Sequence, residues 1–269
     1  MRRTVILLLA MALVLGLAGC KGNEPSPSSK RPDMDALRKA NVGSYVFFGE
    51  YEQDNNEDTG KEAIEWLVLA KEEDRLLLIS RYALDCKPFN MEKKDNTWAF
   101  CSLREWLNGS FYENAFTPEE KDVILETVIT EDETAGHGYR SLDIVLVTLE
   151  ASNPLEADSS VAVDVDPGFD KLEEFDVTDK VFLLSYDEAE QYFNDDDSRM
   201  CPGTPYCYAQ GTWEESNGNC IWWLRSSGRY TNYAMFVSFD GRNDWFGGAV
   251  DDGEKAVRPA MWINIGEEK

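Results

Sequence analysis

Short apolar and aromatic runs alternate with polar turns through the C-terminal part of the chain. The turns include the pairs Asp240-Gly241 and Asp252-Gly253, and an Asp-Gly pair between apolar runs is a strong signal for a β-hairpin. The pattern predicts consecutive antiparallel strands at residues 221–226, 233–239, 243–250 and 257–263.

Runs of strand length also occur earlier in the chain. Aliphatic and aromatic residues dominate them, as expected for strands that contribute to a core. They predict further strands at residues 43–51, 64–69, 75–80 and 179–185.

Helix signals lie between these strands. Residues 117–120, Thr-Pro-Glu-Glu, and residues 185–188, Ser-Tyr-Asp-Glu, each combine an N-cap residue with a glutamate three positions later. Residues 97–107 predict a helix that stops at Asn108-Gly109. We therefore expect an α+β fold with a mixed, mainly antiparallel sheet, a few short helices and long loops.

The N-terminus has the pattern of an export signal. Arg2 and Arg3 precede an apolar run at residues 5–17, which is too short to span a membrane comfortably. The run ends in Leu-Ala-Gly-Cys at residues 17–20, which resembles a bacterial lipobox. The resemblance implies cleavage before Cys20 and lipidation of that cysteine. A plain secretory signal with a chance cysteine is the alternative.

This pattern divides the chain into three parts. Residues 1–19 are the expected lipoprotein signal peptide, and residues 20–40 are the lipidated cysteine and a flexible tether rich in Pro and Ser. Residues 41–269 are expected to form a single domain. The lipid would hold this domain on the outer face of a membrane of the cell envelope.

The charge balance limits the partners of the domain. Lys and Arg number 26 against 51 Asp and Glu, which gives a net charge of −25. Nucleic acid is excluded as a partner, because its phosphates need a basic patch. The acidic residues are interpreted either as a solubilising surface or as ligands for a divalent cation.

One acidic loop can be compared directly with a known calcium-binding motif. Asp54, Asn56, Asp58 and Glu65 have the ligand spacing of an EF-hand calcium loop, but Thr59 stands where that loop needs glycine. An acidic hairpin turn is the favoured interpretation, and calcium is the alternative. A second acidic loop, around residues 164–170, leaves the same two possibilities.

Six cysteines are present, and lipidation of Cys20 leaves five. Outside the cytoplasm they can oxidise, with Cys86–Cys101 and one pairing among Cys201, Cys207 and Cys220 as the candidates. Free buried thiols and a metal site are the alternatives.

Candidates for catalysis are few. His137 is the only histidine, so a catalytic unit of the Ser/His/Asp or Cys/His kind must use it. It lies between two glycines, which is typical of an exposed loop. A glycosidase-like carboxylate pair is open, although such pairs arise by chance in so acidic a chain.

Several motifs occur in an order that resembles a known family. They are Phe48-Gly49-x-Tyr51, Ile64-Glu65-Trp66, Leu78-Ile79-Ser80, Ser102-Leu103-Arg104-x-Trp106-Leu107-Asn108, Val181-Phe182-Leu183-Leu184-Ser185, Trp222-Trp223-Leu224-Arg225-Ser226 and Val257-Arg258-Pro259-Ala260-Met261-Trp262-Ile263. In this order they resemble a bacterial surface domain of unknown function (6273). The resemblance implies a secreted or surface context and no established activity.

The C-terminal part also resembles the C-type-lectin-like fold of formylglycine-generating-enzyme relatives and of variable proteins diversified by retroelements. In those proteins a Trp-rich strand, a polar loop, a Gly-turn strand and a terminal Val-Arg strand surround a ligand face. The catalytic cysteines of the enzymes and the calcium motifs of sugar-binding lectins have no match here. The resemblance implies a ligand surface on loops 227–233 and 242–248, formed by Arg229, Tyr230, Asn232, Tyr233, Arg242, Asn243, Asp244 and Trp245.

The tryptophans and arginines near this surface have a second interpretation as structural residues. Adjacent strand residues point to opposite faces, so one of Trp222 and Trp223 is expected in the core. Arg225 and Arg258 are expected to make structural salt bridges rather than ligand contacts.

The sequence therefore predicts a surface-displayed lipoprotein that binds a protein or glycan ligand through C-terminal loops, without catalysis and without a required cofactor. A cell-envelope glycan hydrolase with a carboxylate pair and a purely structural envelope module are the alternatives.

Overall fold

The computed structural model describes residues 32–130 and 175–266, and all of them belong to one compact unit over residues 31–269. His137, the acidic loop at 164–170 and Cys20 lie outside the described residues, as do the signal and most of the tether. In the described ranges no helix has the length and apolarity needed to cross a membrane.

The strands have two to ten residues and the helices four to seven. Along the described chain the strands are β1 (Tyr45–Tyr51), β2 (Glu62–Lys71), β3 (Arg75–Ser80), β4 (Asp85–Cys86), β5 (Thr127–Ile129), β6 (Val177–Asp179), β7 (Trp222–Ser227), β8 (Tyr233–Val237), β9 (Asn243–Ala249), β10 (Ala256–Val257) and β11 (Ala260–Asn264). The helices are α1 (Met34–Lys39), α2 (Ser102–Trp106), α3 (Tyr112–Ala115), α4 (Pro118–Lys121), α5 (Tyr186–Tyr192), α6 (Asp196–Arg199) and α7 (Pro205–Ala209), with a 3-10 turn at Trp98–Phe100.

Two sheets and a small strand pair organise these elements. The first sheet has the order β1-β2-β3-β11, and all its neighbours are antiparallel. The second has the order β4-β10-β7-β8-β9, and only its β10–β7 pair is parallel. Strands β5 and β6 pair separately. The predicted α+β class with mainly antiparallel sheets is confirmed.

The C-terminal segment passes from one sheet to the other. The single strand predicted at residues 257–263 is wrong, because the chain leaves the second sheet after Val257 and joins the first at Ala260. Pro259 lies at the crossing and lacks the N–H that a continuous ladder would use. Its carbonyl still accepts a hydrogen bond from Ser80 N at 2.9 Å. Of the strands predicted in the C-terminal part of the chain, only β7, β8 and β9 pair consecutively and antiparallel.

Strand β7 is covered on both faces. Trp222 and Trp223 are each 0% exposed, so the expectation that only one of them lies in the core is wrong. The Trp222 ring packs on Phe193 at 6.5 Å and the Trp223 ring packs on Phe89 at 5.8 Å, from opposite sides of the strand. Both indole N–H groups donate to backbone carbonyls, which removes the cost of burying them.

Both predicted capping boxes are present. Thr117 caps α4 reciprocally with Glu120, and Ser185 caps α5 reciprocally with Glu188. These contacts span three residues, so the local sequence is sufficient to predict them.

The helix stop predicted at Asn108-Gly109 is wrong. Gly109 departs from helical geometry, yet the chain continues through a π turn at Leu107–Phe111 into α3. The Asn108 side chain donates to Val181 O at 2.9 Å and accepts from Lys180 N at 2.8 Å. This distant segment holds the kinked turn in place.

The folded unit begins before residue 41. Residues 34–39, which the sequence analysis placed in the tether, form α1, and Leu37 is 1% exposed. Arg38 donates to the carbonyls of Ile265 and Gly266 at 3.0 and 3.1 Å. The helix is thus fastened to the end of the first sheet.

The two arginines flanking the predicted ligand face are structural. Arg225 is 5% exposed and forms an ion pair with Glu188, as predicted. Arg258 makes no salt bridge within the described chain. Its guanidinium instead lies 5.0 Å from the Trp222 ring and donates to Ser80 O at 3.0 Å.

The Cys86–Cys101 pairing has no support in the structure. Both are buried thiols, and they make different contacts. The Cys86 thiol donates to Gly253 O, whereas Cys101 Sγ accepts from Arg104 N at the start of α2. Among the described residues no three cysteines gather as metal ligands.

We expect Glu188→Ala to lower the free energy of unfolding by about 3 kcal/mol, because it leaves the buried Arg225 charge without its carboxylate and removes a cap of α5. Urea denaturation measures the change. Gln191→Ala, an exposed change on the same helix, is the control and should stay within about 0.5 kcal/mol. Equal effects of the two variants would contradict a structural role for the ion pair.

The two Asp-Gly turns give a second, matched pair of variants. Gly241 has φ +82°, and a Cβ there would lie 1.7 Å from Asp196 O, whereas a Cβ on Gly253 meets nothing within 4 Å. Gly241→Ala should destabilise by about 2–4 kcal/mol and Gly253→Ala by less than about 1 kcal/mol. Thermal melting of the two variants measures the difference. A Gly241→Ala variant that melts at the same temperature as Gly253→Ala would contradict the packing of this turn on α6.

Candidate functional site

The predicted ligand surface lies at the hairpin of β7 and β8 and at the irregular middle of β9. Gly228 N donates to Tyr233 O and Arg229 N donates to Phe246 O, both at 2.8 Å. A Cβ on Gly228 would lie 2.8 Å from Phe246 O, so only glycine permits this close approach. The hairpin loop is therefore attached directly to the adjacent strand.

A bulge in β9 turns its aromatic residues toward this loop. The register shifts between the pairs Ala234–Gly248 and Phe236–Asp244. Gly247 takes φ +81° at the bulge and donates its N–H to Asp244 Oδ1 at 3.0 Å. The predicted site residue Asp244 thus stabilises the bulge through its side chain.

Three rings meet at this point, and we refer to Tyr230, Tyr233 and Phe246 as the tyrosine cluster. Their centroids lie 5.1 to 6.0 Å apart, and every pair is edge-to-face. Such contacts stabilise an aromatic pair by about 0.5–1.5 kcal/mol beyond simple burial. Tyr230 remains 48% exposed, so the cluster supports one ring that solvent can reach.

Arg229 and Trp245 extend the tyrosine cluster. The Arg229 guanidinium lies 5.4 Å from the Phe246 centroid and 5.9 Å from the Tyr230 centroid, within range of a cation–π contact. The Trp245 ring lies 5.7 Å from Phe246 and packs partly against the core. The site therefore combines a supported phenol with a positive charge, on a chain whose net charge is −25.

The loop between β7 and β8 is held from a second side. Thr231 Oγ1 donates to Asp95 Oδ1 at 2.6 Å, and Asn96 N donates to Thr231 O at 2.9 Å. The carbonyl of Asn232, a predicted site residue, accepts from Val250 N at 2.9 Å. These contacts give the loop one conformation in which Tyr230 is presented.

The structure separates Arg242 and Asn243 from the tyrosine cluster. Asn243 pairs with Val237 at the far end of the hairpin from Tyr233. Arg242 forms an ion pair with Asp240, and Asn243 Nδ2 donates to Glu190 Oε1 at 2.7 Å. The single eight-residue surface implied by the resemblance is thus divided in two.

Two parts of the site were not predicted. Phe246 completes the tyrosine cluster. Its position beside Trp245 in loop 242–248 is the sequence feature from which its place in the site could have been predicted. Asp95 and Asn96 hold the loop from a distant part of the sequence, and no local pattern connects them with Thr231.

A separate cleft of about 290 Å³ lies beside the first sheet and includes Asp54, Glu62 and Glu65 in its lining. All three carboxylates have structural partners. Asp54 accepts from Asn56 N and Thr59 Oγ1, and Glu62 accepts from Gln53 N. Glu65 forms an ion pair with Arg81 at 2.7 Å. These contacts do not favour the carboxylate-pair hydrolase at this cleft.

The EF-hand arrangement is not formed. Residues 52–61 connect β1 and β2 as an acidic hairpin loop, and Glu65 lies within β2. A different set, Glu52, Asp54 and Glu62, has carboxylate oxygens within 4.8 Å of one another. Exposed acidic groups often meet in this way without an ion, and all three accept backbone N–H groups from the same loop.

Comparison with known proteins bears on the family of the chain. The family model described as a domain of unknown function (DUF6273) matches residues 73–146 and 150–265. The motifs at residues 48–66 lie outside this match. Neither a search of curated proteins nor a search of solved structures finds a match. Because the family model covers most of the chain, this protein belongs to the DUF6273 family.

Proposed function

We propose that this protein is a lipoprotein displayed on the outer face of a bacterial membrane, where it binds a protein or glycan ligand through the tyrosine cluster. The observation that carries the proposal is the half-exposed Tyr230 ring, held edge-to-face by Tyr233 and Phe246 and flanked by the Arg229 guanidinium. A site fixed in this way loses little conformational entropy when a ligand binds.

The composition of the cluster suits recognition. Tyrosine offers a large contact area with few rotatable bonds, and arginine provides hydrogen-bond donors in a fixed plane. The exposed part is about one aromatic ring wide. We infer that it receives one sugar ring or one side chain of a larger ligand, with neighbouring loop atoms adding polar contacts.

The C-type-lectin-like fold is part of this proposal. Its support is the arrangement of a Trp-rich β7, a polar hairpin loop, a glycine-containing β9 and a terminal Val257-Arg258 segment in one sheet region. Display at a membrane is also part of it. It rests on the lipobox-like residues 17–20 and on the Pro- and Ser-rich segment that precedes α1.

The site predicts a specific effect of Tyr230→Ala. The full-length chain in detergent is applied to arrays of glycans and of proteins, and affinities for the hits are then measured by surface plasmon resonance. Loss of a central aromatic anchor should weaken binding by about 30-fold or more. Tyr230→Phe keeps the ring and should retain most of the affinity.

A matched control separates this site from the cleft beside the first sheet. Phe47 is 64% exposed and lines that cleft, so Phe47→Ala should leave binding unchanged. Binding that survives Tyr230→Ala but fails in Phe47→Ala would move the ligand to the cleft. Loss of binding in EDTA would assign it to the Glu52, Asp54 and Glu62 group. Absence of any hit would favour the structural envelope module.

The lipid anchor is tested separately. Cys20→Ser should abolish incorporation of radiolabelled palmitate into the chain, because the thiol that would carry the acyl chain is gone. Labelling of expressing cells followed by immunoprecipitation measures the incorporation. Ala18→Ser, in the same motif but not at the acylated position, is the control. A Cys20→Ser protein that is labelled as strongly as the wild type would contradict acylation at this residue.

A further inference from the structure

Cys201 and Cys220 lie opposite each other on two antiparallel chain segments. The antiparallel bridge between Pro202 and Asn219 places Cys201, the residue before Pro202, directly across from Cys220, the residue after Asn219. Cys220 N donates to Cys201 O at 2.9 Å, so these two cysteines form a hydrogen-bonded cross-strand pair.

The Cys220 side chain also reaches across to Cys201, and its thiol donates to Cys201 O at 3.1 Å. Opposed residues of this kind have Cα atoms about 5.5 Å apart, and disulfides commonly span about 5.5–6 Å. No large backbone movement is needed to join the two sulfurs.

We propose that Cys201 and Cys220 form a disulfide bond that closes residues 202–219 into a loop at the entrance to β7. The other described cysteines stay as thiols. This inference is independent of the ligand proposed for the tyrosine cluster.

The bond forms during folding, before both thiols become fully buried, by thiol–disulfide exchange with a disulfide oxidant, such as oxidised glutathione or an oxidised dithiol enzyme. One cysteine of the pair attacks the oxidant as a thiolate, forms a mixed disulfide and releases one thiolate of the oxidant. The second cysteine loses its proton and attacks the sulfur of the first, which releases the other half of the oxidant as a thiolate. Two electrons pass to the oxidant, and two protons leave the cysteines.

The folded surroundings favour the thiolate form of Cys201. Burial acts to raise the pKa of its thiol, but the hydrogen bond from Cys220 and the charge of Arg258 outweigh this effect and lower the pKa to about 7. Burial raises the pKa of Cys86 to about 11 and that of Cys101 to about 12. Burial also raises the pKa of Cys207, whose thiol donates to Asp85 O at 3.1 Å. Among the described cysteines a thiolate is therefore favoured at Cys201, whereas the hydrogen bond with Cys201 and burial raise the pKa of its partner Cys220.

The bond has a structural consequence for the site region. The closed loop carries α7 and Trp213, which is 54% exposed, and it ends two residues before the buried Trp222. A covalent link there restricts the unfolded chain and keeps the entrance to β7 in register.

Peptide mapping of the full-length chain tests the proposal. The reduced, denatured protein is refolded in a mixture of reduced and oxidised glutathione at pH 8, because both thiols are 0% exposed once the chain is folded. It is then denatured in the presence of iodoacetamide, digested and analysed by mass spectrometry. We expect a cross-linked peptide pair containing Cys201 and Cys220 that separates on reduction, with Cys86, Cys101 and Cys207 alkylated. Alkylation of both Cys201 and Cys220, or a cross-link between other cysteines, overturns the proposal.

Matched variants give a second readout. Reduction should lower the melting temperature of the wild-type chain and of Cys207→Ser by several degrees. It should leave Cys201→Ser and Cys220→Ser unchanged, because neither can form the bond. A reduction-sensitive melting temperature in Cys201→Ser or Cys220→Ser would assign the bond to another pair. An insensitive wild type would overturn the proposal.

Discussion

The burial of β7 on both faces is the constraint on which the rest of the structure depends. A strand with large aromatic side chains on both sides needs a packed layer on each, and Phe193 and Phe89 belong to those two layers. The backbone beside Trp222 and Trp223 is therefore fixed in position and direction. The position of the hairpin that follows is fixed as well, because the pairing of β8 with β7 starts at the two tryptophans.

The crossing of the C-terminal segment joins the two sheets. Val257 pairs beside β7 and Ala260 pairs beside β3, with Arg258 and Pro259 between them. Arg258 is 3% exposed, and its charge is accommodated by aromatic rings and backbone carbonyls instead of a carboxylate. Burying a cation in this way is costly unless every partner is in place. The crossing thus requires both sheets to be assembled, and it couples the site on the second sheet to the stability of the first.

The tyrosine cluster is rigid because backbone contacts hold it from several sides. The hairpin loop bonds to the β9 bulge, to Asp95 and Asn96, and to the end of β9. Two glycines make these contacts possible. Gly228 allows the close approach to Phe246 O, and Gly247 adopts the left-handed backbone conformation of the bulge. Tyr230 is the exposed member of a group whose other members are partly buried. Most of the aromatic residues in this region therefore contribute to folding, and the proposed ligand surface is smaller than the sequence composition of this region indicates.

The sequence by itself determined six strands of the two sheets, β1, β2, β3, β7, β8 and β9, together with the capped starts of α4 and α5, the family and the part of the chain in which the tyrosine cluster lies. Those features arise from alternating apolar positions and from hydrogen bonds that span three or four residues, so the local pattern contains them. The strand predicted at residues 179–185 is not formed, since β6 ends at Asp179. The tertiary structure alone decided that both Trp222 and Trp223 are buried, that the last strand divides at Pro259, and that Arg242 and Asn243 lie apart from Tyr230. It also decided which cysteines face each other. Each of these depends on partners far away in the chain, such as Phe193, Ser80, Glu190 and Asn219, and a local pattern does not specify which distant segment supplies the second half of a contact.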